Sequence, residues 1–85
     1  MNPVTLNQPS DAQRLSQCHP SQICRILALT GDLASKLHLV NLGFHTNSRI
    51  KLHMIRHRTF IVTVDGSRFA LDASLADQIQ VQVSP

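Results

Sequence analysis

Ser48-Arg49-Ile50-Lys51-Leu52-His53-Met54-Ile55, then Arg56-His57-Arg58, then Thr59-Phe60-Ile61-Val62-Thr63-Val64-Asp65-Gly66-Ser67-Arg68-Phe69-Ala70-Leu71 is the stretch on which the fold turns. Ile50, Leu52 and Met54 alternate with Arg49, Lys51 and His53, the two-residue period of a strand with one buried face. Phe60, Val62 and Val64 repeat that period after the tip Arg56-His57-Arg58. Asp65-Gly66 is a strong signal for a tight hairpin turn into a third strand over Arg68 to Leu71. Three consecutive strands form a meander.

Upstream, Ile23 to Leu29 is apolar in both registers except at Arg25, which suits a strand covered on both faces or closed into a barrel. Gly31-Asp32 ends it, and Asp32 caps a helix from Leu33 to Leu42. In that helix Leu33, Leu37 and Val40 recur at helical spacing and Leu39 and Leu42 widen the stripe, so Leu37 and Leu42 are expected in the core. Leu42-Gly43-Phe44 is a helix stop, with Phe44 folding back onto the helix. Downstream, Ser74 to Gln78 reads as one helical turn capped by Asp72 or Ser74, and Ile79, Val81 and Val83 as a last strand. Residues 1–14 read as a leader, partly disordered or short helical, with Ser10-Asp11 capping a turn over Ala12 to Gln17; residues 15–85 form the domain. The expected fold is mainly β with a short helix, a small SH3-like β-barrel, because closure removes the unpaired edges of five short strands.

Composition narrows the chemistry. An 85-residue chain buries only about 60–65% of its unfolded surface, which leaves little room for a deep catalytic cavity. There is no Glu, the five acidic residues are all Asp at predicted caps and turns, and three glycines cannot build a phosphate-binding loop. An enzyme is therefore not expected, and neither is a cofactor. The longest apolar runs fall far short of the roughly 20 residues that cross a bilayer. Met1-Asn2-Pro3-Val4 lacks the basic and apolar parts of a secretory signal, so the cytoplasm is the expected compartment.

Cys18 and Cys24 lack the CxxC spacing of metal and redox motifs. With Cys24 inside a strand that leaves Cys18 behind, no bridge is expected. Five histidines raise a metal site, yet no spacing assembles one, and none is assigned. The formal charge of +3 is unevenly placed: no acidic residue lies between Asp32 and Asp65, where Lys36, Arg49, Lys51, Arg56 and Arg58 fall with His38, His45, His53 and His57. A nucleic-acid surface would need aromatic stacking platforms, and the aromatics are Phe44, Phe60 and Phe69 alone. No nucleic-acid partner is expected. The same basic stretch could equally meet an acidic protein partner, raising the on-rate more than the affinity.

The run Ile23 to Leu29, Gly31-Asp32, the helix ending Lys36-Leu37-His38-Leu39-Val40-Asn41-Leu42-Gly43-Phe44, Val64-Asp65-Gly66-Ser67-Arg68-Phe69-Ala70-Leu71 and the closing Ala76 to Val83 resemble the ferrous iron transport protein A family. The resemblance covers about residues 15 to 83. Where that family has Pro-Gly, this chain has Pro20-Ser21 and Thr46-Asn47-Ser48, with Ser21 and Asn47 standing in for turn glycines. His38 takes the place of the family's basic residue before the helix leucines, and a longer loop is cut to Arg56-His57-Arg58. The resemblance implies a cytosolic, non-enzymatic accessory protein of bacterial ferrous iron uptake. Its implied partner is the membrane ferrous iron transporter with a cytosolic GTP-binding domain; the chain itself would not span the membrane and would be a monomer or weak homo-oligomer. Candidate partner-binding residues are Arg49, Lys51, Arg56, His57 and Arg58, with Phe44 and His45 presented by the corner that Leu37, Leu42 and Gly43 shape. The alternatives are a metal-binding or metal-sensing SH3-like domain and, less favoured, a small nucleic-acid binder.

Overall fold

Alternation dictates the sheet register. In β3 (Arg49–Arg56) and β4 (Thr59–Val64), Ile50 pairs with Val64 and Leu52 with Val62, so their side chains enter one core. In the computed structural model, which describes residues 12–83, these strands join β1 (Ala12–Arg14), β2 (Ile23–Leu29), β5 (Ser67–Asp72) and β6 (Ile79–Val83). All neighbours are antiparallel, in the order β1-β6-β2-β3-β4-β5. The fold is the expected small SH3-like one. The sheet is not closed, however: β1 and β5 are its edges, and it has six strands rather than five.

The sixth strand comes from the N-terminal side. Ala12–Arg14 pairs with Gln80–Gln82 instead of starting a helix, because β6 offers an open edge of backbone donors and acceptors. A single 3-10 turn, Leu15–Gln17, follows and buries Leu15 completely. Of the leader expected over residues 1–14, residues 12–14 are β1, and residues 1–11 with the Ser10-Asp11 cap lie outside the described residues.

Helix α1 (Leu33–Leu42) has the boundaries its caps dictate. The Asp32 carboxylate accepts from the Ser35 N–H at 2.9 Å. At the other end Gly43 takes φ 107°, Phe44 N–H donates to the Leu39 carbonyl and Gly43 N–H to that of Val40, the Schellman arrangement. That motif brings Leu39 and Phe44, both fully buried, to the inner side of the helix. The expected stripe is therefore on the wrong side: Leu33 is 70% exposed, Leu37 52% and Val40 40%. Leu37 is not a core residue, whereas Leu42 does pack partly buried against the core.

Helix α2 (Ala73–Ala76) is one turn, capped by Asp72 accepting from Leu75 N–H. It delivers the Gln78 side chain beneath Gly31, whose φ of +97° requires glycine.

Candidate functional site

Parity along β3 decides which side chains share the solvent face. Lys51 pairs with Thr63, but Met54 pairs with Ile61 and Arg56 with Thr59, so one residue, His53, is inserted as a bulge. Unbroken alternation would have sent Met54 inward and Arg56 to the opposite face from Lys51. With the bulge, Met54 is 46% exposed and Arg56 stands on the same face as Arg49 and Lys51. His53 is half-buried and shares a hydrogen bond between its Nε2 and the Thr63 hydroxyl.

Neighbouring strands add to this face. Arg25 of β2 lies directly opposite Arg49, and Arg68 of β5 opposite Thr63, which in turn faces Lys51. Arg25, Arg49, Lys51, Arg56 and Arg68 thus occupy one face of β2-β3-β4-β5, all exposed. Among the described residues none of the five has a carboxylate within ion-pair distance; the recorded pair is Arg14 with Asp77 at 3.5 Å, on the β1 side. Like charges directly opposite, as at Arg25 and Arg49, work against folding. A shallow depression of about 330 Å³ lies within the patch, lined by Ile23, Arg49, Lys51, Thr63, Asp65 and Gly66.

The tip is a two-residue turn. Arg56 and Thr59 pair, and His57 and Arg58 hold φ of 50° and 64°, the double left-handed conformation that twisted hairpins prefer. Both side chains are exposed. Arg58 lies close enough to Asp72, at the end of β5, to help hold that carboxyl below its usual range, although the Leu75 N–H and the Ser74 hydroxyl contribute more.

Of the residues singled out from sequence, Arg49, Lys51 and Arg56 come together on one face, and His57 and Arg58 form its far end. Lys51 and Arg56 are roughly 16 Å apart along the strand. His45 is exposed in the loop after α1. Phe44 is not available to a partner: it is fully buried, its ring 5.2 Å from that of Phe69 in a tilted pair. Arg25 and Arg68 were missed, since only the strand register shows that they share the face. Ser21 and Asn47 do adopt the glycine-like backbone, at φ 77° and 75°.

β2 does not leave Cys18 behind as expected. Cys18 and Cys24 are both free and buried, their sulfurs 3.6 Å apart, because the reversal at His19–Gln22 does not carry Cys18 away from β2: Gln22 N–H donates back to the His19 carbonyl and the chain doubles on itself. Among the described residues no group of three or more His, Cys or Asp side chains is placed to hold a metal ion, and no helix is long and apolar enough to cross a membrane.

The FeoA domain family model matches residues 13–83. The chain belongs to the FeoA family. A crystal structure of an iron uptake regulatory protein, FeoA, is similar at TM-score 0.80 and 23% identity, over 86% of this chain and 99% of that one. Iron(II) transport protein A from Clostridium thermocellum gives TM-score 0.78 at 23% identity, over 84% of this chain and 45% of that one. A manganese-dependent transcriptional repressor reaches TM-score 0.83 at 19% identity, over 96% of this chain, which spans 48% of the repressor. No curated protein sequence matches the chain. FeoA membership ties the domain to ferrous iron transport systems.

Proposed function

We propose that this FeoA domain is a non-enzymatic cytoplasmic accessory protein that docks, through the basic face of β2-β3-β4-β5 and the His57-Arg58 tip, on an acidic surface of the GTP-binding part of a membrane ferrous iron transporter. The observation that carries this reading is the face itself. Five exposed cations from three strands, brought to one face by register and a bulge and without ion-pair partners among the described residues, form a surface whose charge is unfavourable in isolation and is relieved by an anionic partner. Family membership supplies the system to which the partner belongs.

Titration of the purified chain into the transporter's soluble GTP-binding region, and into the intact transporter, tests it. Binding that weakens steeply with salt is expected, with R49E/K51E/R56E reducing affinity at least tenfold through slower association. Absence of binding to either would sink the reading. A second reading, a metal-responsive regulatory domain, has one support: likeness to the manganese-dependent repressor's domain. It lacks a three-donor cluster among the described residues. A single-strand nucleic-acid site is disfavoured because Phe44 and Phe60 are buried and Phe69 packs against the core, so no ring is free to stack.

A further inference from the structure

Cys18 and Cys24 lie apart from the docking face, on its inner side, and nothing in the proposed function uses them. Cys24 is fully buried and Cys18 is 3% exposed, and their sulfurs are 3.6 Å apart. Gln13 Nε2 donates to the Cys18 sulfur at 3.2 Å, and Cys18, as a thiol, donates to the Arg14 carbonyl at 3.8 Å. Two buried thiols in contact, one of them in a nest of polar groups inside an otherwise apolar core, are more than packing requires.

We propose that Cys18 and Cys24 are an oxidisable dithiol, with Cys18 the nucleophile toward a hydroperoxide and Cys24 the resolving thiol, so that the pair closes to an intramolecular disulfide. The roles follow from the environment. Cys24 as hydrogen-bond donor, against the opposing effect of burial and with help from Gln13, holds Cys18 down at about 7. The same bond and burial push Cys24 up, so Cys24 keeps its proton until Cys18 has reacted. With hydrogen peroxide as the hydroperoxide, the Cys18 thiolate attacks one peroxide oxygen, the O–O bond breaks, and the leaving hydroxide takes a proton from solvent to become water. Cys18 is then a sulfenic acid. The Cys24 sulfur attacks the Cys18 sulfur, the S–O bond breaks, and the departing hydroxide takes the Cys24 proton as a second water. Two thiols are oxidised by two electrons in all, and one hydroperoxide is reduced.

The distances suit this end point. The sulfurs need to close by about 1.5 Å to reach a disulfide bond length. Access is through the edge: Cys18 is covered by Gln13 of β1, a three-residue strand paired on one side only, and fraying of that strand exposes the sulfur. A metal is a poorer occupant, because among the described residues no third His, Cys or Asp joins the two thiols to complete a tetrahedral site.

The test uses the full chain, reduced and desalted, with hydrogen peroxide at near-stoichiometric amounts. Cleavage after Arg14 and Arg25 leaves both cysteines in one peptide, Leu15 to Arg25. The expected product of the native protein is that peptide lighter by two hydrogens and restored by dithiothreitol. Cys24→Ala is expected to stop at a sulfenic acid on Cys18 that dimedone traps, and to react about tenfold more slowly than wild type as the hydrogen bond to Cys18 is lost. Cys18→Ala is expected to leave Cys24 reduced. Sulfinic acid without the two-hydrogen loss, disulfides between molecules, or two unreacted thiols in the native wild-type chain would each overturn the proposal, whatever the variants do.

Discussion

The molecule makes two hairpin turns of the same geometry from opposite kinds of sequence. Asp65-Gly66, between β4 and β5, has φ of 52° and 84°; His57-Arg58, between β3 and β4, has 50° and 64°. The twist of the strands asks for left-handed backbone at both positions of each turn. Asp-Gly meets that demand at little cost, whereas two bulky residues meet it at about 1 kcal/mol or more each. The first turn is written for folding. The second keeps two basic side chains at the end of a basic face where folding alone would prefer Asn-Gly, and its residues are better explained by what they touch than by how they turn.

The largest effect expected from breaking this contrast is on binding. H57N/R58G gives the tip the favoured turn residues, and it is expected to stabilise the domain by about 1–2 kcal/mol while weakening binding to the transporter's GTP-binding region at least tenfold. Chemical denaturation and titration calorimetry on one preparation measure both. Gain of stability with unchanged affinity would show that the tip is not a contact. The reciprocal swap, D65H/G66R, is expected to lower stability by roughly 1–2 kcal/mol, and because it removes a carboxylate from the edge of the basic patch and adds a cation there, it is expected not to weaken binding. A Cβ at Gly66 meets nothing within 4 Å, so this loss is purely one of backbone conformation.

Smaller, and useful as a scale, is the same conformation away from the tip. Ser21 at φ 77° is expected to gain under about 1 kcal/mol on replacement by glycine, part of the relief being offset by a more flexible unfolded chain. Denaturant midpoints for S21G and H57N/R58G together separate what backbone strain contributes at the tip from what its charges contribute.

Turns and caps were the legible part of this fold. Asp32, Gly43, Asp65-Gly66 and Asp72 each act through their own backbone neighbours, so their meaning is local and the element boundaries followed. What depends on a partner strand was not legible. The alternation Ile50, Leu52, Met54 is unbroken in the sequence, and only the pairing with β4 inserts His53 as a bulge and turns Met54 outward. Helix α1 has apolar residues on two sides. The wider stripe, Leu33, Leu37 and Val40, was the natural choice for the core, yet the Schellman contact between Leu39 and Phe44 fixes the narrower side inward. For the site, Arg49 and Lys51 could be read from alternation, but Arg56 joins their face only through the bulge and Arg25 and Arg68 only through register, and Cys18 meets Cys24 only because the chain doubles back at His19–Gln22.

The smallest expected effect lies in proton linkage at the two helix caps. Asp32 is held below the usual carboxylate range by the Ser35 hydroxyl and N–H, and Asp72 by the Leu75 N–H, the Ser74 hydroxyl and, weakly, Arg58. A carboxyl depressed on folding contributes stability that is fully present above its unfolded value, about pH 4, and is lost as pH falls through the lower folded value. Removing Arg58 in H57N/R58G takes away one of the depressing charges at Asp72 and none at Asp32. In a carboxyl-carbon NMR titration the Asp72 midpoint is therefore expected to move up toward its unfolded value while Asp32 stays in place, so that the contribution of Asp72 is lost at a slightly higher pH. An unmoved Asp72 would mean that Arg58 points wholly away from β5, leaving its charge to the partner alone, and would sharpen the contrast between the two turns.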